Sequence, residues 1–215
     1  MNKIIYSIQK KLFSFIGDIK WSGFKRPFWL TINAIGYQIK GEHYRELTQL
    51  LKPGDVLIRR FEGYIDKIFI PGWWNHMGIY IGDDKQKKEQ IVHAVSEGVI
   101  QEDILNFLRT DHVAILRIKK NHENLSKNAV EKAKQIVGKP YDFNFDFANC
   151  DSFSCTELAN YCYNNIISGS KRLGKKIIVA DDFYYSSKFE SVWDSVSIEH
   201  KPVIEAFLAT RCPIK

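Results

Sequence analysis

Cysteine is scarce in this chain. The four residues, Cys150, Cys155, Cys162 and Cys212, are separated by five, seven and fifty positions. No CxxC pair occurs, so neither a disulfide framework nor a structural zinc site is expected. Free thiols point to a reducing compartment, and the expected location is cytoplasmic. Long apolar runs are missing, which excludes a transmembrane helix by length. A secretory leader is not expected either. Ile4-Ile5-Tyr6-Ser7-Ile8 is interrupted by Gln9-Lys10-Lys11, and no small-residue cleavage site follows promptly. Internal repeats and low-complexity tracts are absent. Excess positive charge is missing from most of the chain. Residues 1–60 hold 11 Lys/Arg against 4 Asp/Glu, whereas residues 61–215 hold 20 against 21. A nucleic-acid binder would spread a basic face over its folded domain, so nucleic acid is not an expected partner. A basic N-terminal arm facing an anionic surface stays open.

What the chain has is apolar and aromatic content. With 215 residues, 45% hydrophobic and 13% aromatic, it suits one globular domain with an appendage, burying roughly 70% of its unfolded surface. Residues 1–48 are read as the appendage and 49–215 as the main domain. Within the appendage, Ile4, Ile5, Ile8, Leu12, Phe15, Ile16 and Ile19 fall on one face of an expected helix over residues 2–19. Lys3, Lys10, Lys11 and Lys20 punctuate the rest. Such a helix either packs on the domain or lies on a membrane surface. Residues 21–35, with Trp21, Phe24, Phe28 and Trp29 around Pro27, carry no clear pattern.

Pro53-Gly54-Asp55 is a turn, followed by an expected strand at Val56–Arg60. Further strands are expected from His76 to the Gly82-Asp83-Asp84 turn, over Gln90–Val95 and over Val113–Ile118. Ser126–Val137 reads as a helix capped by Ser126 and stopped by Gly138 and Pro140. Another runs from Cys155 to Ile167, with Ser152 or Ser154 as cap. Lys171-Arg172-Leu173-Gly174-Lys175-Lys176 reads as a solvated basic loop. Hairpin-like strands followed by helices predict an α+β fold, mostly antiparallel with helices packed on the sheet.

Two residues in this order suit nucleophilic chemistry. Cys155 opens a helix, where the positive end of the dipole and free backbone N–H groups favour thiolate and can hold an oxyanion. His76 opens a strand, and His93 lies in the next one, Ile91-Val92-His93-Ala94-Val95. A nucleophile, a base and an orienting group are the parts such catalysis needs. Each residue alone is more often structural: a buried inert thiol, or histidines fixed in a core.

The segments Leu51-Lys52-Pro53-Gly54-Asp55-Val56-Leu57, Trp74-Asn75-His76-Met77-Gly78-Ile79-Tyr80-Ile81-Gly82 and Phe153-Ser154-Cys155-Thr156-Glu157-Leu158 come in that order. Gly138-Lys139-Pro140-Tyr141-Asp142 precedes the cysteine, and Asp181-Asp182-Phe183-Tyr184 follows it. Together they resemble the YiiX/YebB-like branch of the NlpC-type papain-like hydrolases, over about residues 50–190. The resemblance implies a circularly permuted papain-like fold, in which the histidine precedes the cysteine. It implies Cys155 as nucleophile, His76 as base and His93 as orienting residue, and Trp74, Tyr141 and Phe153 as expected walls of the substrate pocket. No metal or organic cofactor is implied.

This chain departs from the family pattern twice. The third polar residue is usually glutamate, whereas here it is His93, as in the similar lecithin:retinol acyltransferase-like enzymes; Glu97 is a fallback. The aromatic residue that often directly precedes the cysteine is displaced to Phe153, with Ser154 between.

The expected activity is hydrolysis of an amide in a peptide-like substrate through a Cys155 thioester. One rival is a lipid esterase or acyltransferase, favoured by His93 and by a membrane-surface role for residues 2–19. The other is a non-catalytic binding module on the same fold.

Overall fold

The computed structural model describes residues 38–62, 72–84, 87–147, 150–172 and 175–196, with short helical or strand pieces at 7–9, 11–12, 19–21 and 30–32. Its centre is a six-stranded antiparallel sheet. The strands are β3 (Val56–Arg60), β4 (His76–Asp84), β5 (Lys87–Val95), β6 (Gly98–Asp103), β7 (His112–Ile118) and β10 (Phe189–Asp194). They are ordered β10-β7-β3-β4-β5-β6. Two small antiparallel pairs stand apart: β1 (Ile19–Trp21) with β2 (Leu30–Ile32), and β8 (Ser170–Arg172) with β9 (Lys175–Ile177).

The central strands read as nearly continuous apolar runs because both faces of the sheet are covered. Side chains alternate between faces along a strand. Val56, Ile58, Met77, Ile79, Ile81, Val92, Ala94, Ala114 and Leu116 point into one cluster, together with residues of α3 (Asn124–Gln135), α4 (Cys155–Cys162) and α5 (Ala180–Tyr184). Leu57, Tyr80, Ile91, Val113 and Ile115 point the other way. They meet Leu47 of α1 (Gly41–Leu50) and Ile104 and Phe107 of α2 (Ile104–Phe107).

The expected α+β antiparallel architecture is what the structure has, and several boundaries differ from the sequence reading. Helix α1 crosses the expected junction at residue 48, and its fully buried Leu47 belongs to the main domain. Helix α3 starts at Asn124, and Ser126 does not cap it. The Ser126 hydroxyl instead donates to the Pro53 carbonyl at 3.0 Å, tying the helix to the turn before β3. Helix α4 stops at Cys162 rather than Ile167. Asn160 accepts from the Ile167 backbone at 2.9 Å and donates to its carbonyl at 3.2 Å, which folds the chain back. The expected basic loop at 171–176 contains the β8–β9 pair, because antiparallel pairing satisfies its backbone whatever its side-chain charge. In the appendage, residues 7–9 and 11–12 are helical, and Ile8 and Leu12 are exposed. Ile19 is in β1 rather than a helix. Ile4, Ile5, Phe15 and Ile16, like Cys212, lie outside the described residues.

One ion pair fastens the sheet to the end of α1. Arg117 of β7 reaches both Asp55 oxygens, at 2.8 Å from Nε and 2.6 Å from Nη2, and donates a further bond of 2.7 Å to the Leu50 carbonyl. Burial pushes the Asp55 carboxyl up, and the Arg117 and Lys52 hydrogen bonds offset this only in part. Breaking one side of such a pair strands a buried charge. Arg117→Met is therefore expected to lower stability by about 3 kcal/mol, read as a shift in the urea midpoint at unchanged slope.

Candidate active site

The chain enters β4 through a pinned segment. Asp181, at the start of α5, accepts from the Trp73 backbone at 3.0 Å and the Trp74 backbone at 3.2 Å. Gly72 just before them is at φ +122°, and a Cβ there would lie 2.1 Å from Asp181 Oδ2, so glycine is required. Asn75 donates to the Arg59 carbonyl at 3.2 Å. These contacts deliver His76 opposite Arg59 in the β3–β4 register.

His93 comes from β5, paired with Gly78. Paired residues and those two apart share a face, so His76, Gly78 and His93 point the same way. A Cβ on Gly78 would sit 2.9 Å from the His93 Cβ and 3.0 Å from the Val92 carbonyl oxygen. Its absence is what admits the second imidazole. His76 Nε2 and His93 Nδ1 are 2.8 Å apart. The rings meet edge to face, and Phe107 closes the box, 5.8 Å from His76 and 5.3 Å from His93 between ring centres. Arg59 stacks on Phe107 and donates to its carbonyl at 2.7 Å. Burial, then the Arg59 charge, then His93, holds His76 well below the ordinary imidazole range. Burial also lowers His93, against the pull of Glu102.

Cys155 is the first residue of α4. Ser154 caps the helix in a capping box, accepting from the Glu157 backbone while Glu157 Oε2 accepts from the Ser154 backbone at 2.6 Å. The helix packs on the sheet face opposite the histidine rings. The backbone of Met77, the residue after His76, hydrogen-bonds the Cys155 sulfur. The β4–β5 ladder opens at Gly78 and His93, one residue beyond Met77, which leaves that N–H for the sulfur.

A helix-start cysteine is expected to favour thiolate, and here burial wins instead. It pushes the Cys155 thiol up to about 11, despite opposing hydrogen bonds from the Met77, Thr156 and Cys155 backbone, and the Glu157 charge adds to the rise.

Of the expected pocket walls, Trp74 is fully buried and Phe153 is 2% exposed. Trp74 stacks among Trp73 and Tyr184, and Phe153 against Tyr161. Both are core side chains rather than open surface, because the loops that carry them are drawn inward by Asp181 and by the Phe153 backbone bond to Pro140 at 3.0 Å. Tyr141 is partly exposed and stacks on Phe143. A cavity of about 860 Å³ opens elsewhere, between residues 144–147 and 165–169; Cys155, His76 and His93 do not line it.

The fallback Glu97 is exposed and bonded to Ser96 at 2.7 Å, away from both rings. The acid that does meet His93 is Glu102. Its Oε1 is 2.9 Å from His93 Nε2, in ionic contact but off the ideal N–H direction. Sequence reasoning missed it because Gln101-Glu102-Asp103 is polar and no strand was expected there. The signal was the Ser96-Glu97 turn. Read as a tight hairpin, it places Glu102 on the His93 face of β6.

A cysteine heading a helix that packs on an antiparallel sheet, with a histidine pair on two neighbouring strands of that sheet, is an arrangement that suits a papain-like thiol hydrolase. With the histidine strands ahead of the cysteine helix, the fold is the permuted papain-like one. Residues 50–206 match the family described as permuted papain-like amidase enzymes, YaeF/YiiX, C92 family, and the chain belongs to that family. The fold is similar to that of a solved protein titled metalloprotein yiiX from Escherichia coli O157:H7. The match has a TM-score of 0.55 and 16% identity, covering 68% of this chain and 98% of that one. A search of curated proteins found no match.

Two outcomes follow from this geometry. With Cys155 held up near 11 and His76 held low, the resting pair is thiol and neutral imidazole at neutral pH. The ultraviolet thiolate band, taken as wild type minus Cys155→Ala, is expected to be absent there and to emerge only as pH rises towards 11. Gly78→Ala is expected to cost about 1–3 kcal/mol through overpacking and to displace His93, read as loss of the His76–His93 coupling in imidazole NMR spectra.

Proposed function

We propose that this protein is a cysteine amidase that cleaves an amide bond in a peptide-like substrate through a Cys155 thioester. The observation that carries the reading is the convergence on one strand end. The Cys155 thiol lies against the backbone of Met77, while the preceding His76 has its Nε2 engaged by His93. That leaves His76 Nδ1 as the nitrogen free to serve the sulfur.

In this reading His76 Nδ1 takes the thiol proton as sulfur attacks the substrate carbonyl carbon. The carbonyl oxygen becomes an oxyanion, held by backbone N–H groups at the head of α4. The tetrahedral species collapses, the C–N bond breaks, and the imidazolium returns its proton to the departing amine. Water, deprotonated by the same nitrogen, then attacks the thioester, releasing the acid and regenerating the thiol. Starting from a neutral pair means the proton moves during attack, so the base needs its lone pair aimed at sulfur.

A second reading has support of its own. The third residue is histidine, as in the acyltransferase-like relatives, and Ile8 and Leu12 expose apolar surface in the basic appendage. Both suit a lipid ester or amide with acyl transfer as the outcome, at a peripheral membrane site.

The test is a parallel screen of peptide amides and lipid esters, with Cys155→Ala as control. Peptide-amide turnover that the variant loses by at least about 10³-fold supports the amidase. Turnover confined to lipid esters transfers the assignment to the second reading. Absence of any covalent adduct on Cys155 with acyl-type electrophiles would leave a binding module.

A further inference from the structure

We propose that Glu102 is a positioning residue for the Cys155–His76 pair, acting through His93 by selecting the tautomers of both imidazoles. The inference rests on the reading of Cys155 and His76 as the reacting groups and extends it by one residue.

A neutral imidazole carries one N–H, so each ring nitrogen's role fixes the other's. Glu102 Oε1 faces His93 Nε2 at 2.9 Å. Burial raises Glu102, but the His93 hydrogen bond and charge and the Arg59 charge together bring it below the ordinary carboxylate value, so it is an acceptor. A carboxylate there requires the proton on His93 Nε2. His93 Nδ1 is then a lone pair. It lies 2.8 Å from His76 Nε2, which must therefore be the donor. His76 Nδ1 is left as a lone pair, the form a base for sulfur needs. Reversing the first choice reverses all of them: a proton on His93 Nδ1 would turn the His76 lone pair inward and leave no base for Cys155.

The placement is built rather than incidental. Glu102 pairs with Ile91 in the β5–β6 register, and His93 pairs with Ile100, so the carboxylate and imidazole share a face. His93 is 1% exposed, and no water-facing alternative can hold its Nε2. Arg59, the other charge at the box, lowers both histidines and so opposes any imidazolium that would blur the tautomers.

The experiment uses the full chain and needs no substrate. Long-range ¹H–¹⁵N correlations assign the protonated nitrogen of His76 and His93, and peptide mapping follows iodoacetamide alkylation of Cys155 at neutral pH. Wild type is expected to hold both protons on Nε2. Glu102→Ala is expected to mix the tautomers of both rings and slow alkylation by about tenfold or more. Glu102→Gln is close in shape, and its carbonyl can still accept. It is expected to keep the His93 Nε2 proton and recover most of the rate, and it serves as the test if the alanine variant fails to fold. Retained Nε2 protons and an unchanged rate in Glu102→Ala would overturn the proposal, as would a His93 proton on Nδ1 in wild type. The parent reading fails separately, if His76→Ala leaves alkylation of Cys155 unchanged.

Discussion

The pairing of β4 with β5 at Gly78 and His93 sets where the candidate site residues of the two strands lie. One residue before it, the ladder has not begun, and the Met77 N–H is left to meet the Cys155 sulfur. Two residues before Gly78, on the same face, stands His76. Glycine at position 78 lets the His93 ring lean across to it, since a methyl group there would press against the His93 Cβ. A register slip of one residue would send His93 to the opposite face, among Val92 and Ala94 and their neighbours, and would break the contact outright. The scaffolding around the pair serves this register: Asp181 pins the entry to β4, and the Ser154–Glu157 capping box sets the head of α4.

Burial rather than charge governs the resting state. Desolvation is the leading influence on Cys155, His76 and His93 alike, and each is driven towards its neutral form. The same rule holds for the acids behind them. Asp181 is pushed up to about 7 despite the two backbone N–H groups it accepts, and Glu157 is pushed up to about 7 despite its bonds to Ser154. Glu102 is the exception, because a histidine N–H and the Arg59 charge outweigh its partial burial. A neutral thiol and imidazole suit a site in which the proton transfers as the substrate arrives. A preformed ion pair would carry a larger desolvation cost in this apolar box.

Much of the frame was legible in the residues. Periodicity and turn chemistry place β3, β4, β5, β7 and the two long helices, because apolar alternation and Pro-Gly turns are local signals. The order of motifs places His76, His93 and Cys155. The less legible parts are those whose identity depends on a partner. β6 reads as a polar tail until it is paired with β5. The β8–β9 pair reads as a charged loop until its backbone bonds are counted. Trp74 and Phe153 read as pocket walls by position in the chain, but their burial depends on Asp181 and Pro140, far away in sequence.

The sequence by itself determined the α+β class, the nucleophile, base and orienting histidine as candidates, and the order that marks a permuted papain-like fold. Local spacing and residue type carry the class and the candidate residues, since a helix-start cysteine and strand histidines are defined within a few residues; the roles and the permuted order are what the resemblance of the ordered motifs implies. Only the tertiary structure decided which acid stands behind His93. Glu97 is nearer in the chain, but hairpin register and the pleat put Glu102 on the same face of the sheet and Glu97 at the exposed turn. It also decided that burial outweighs the helix dipole at Cys155, because desolvation depends on everything packed around the sulfur rather than on the helix that carries it.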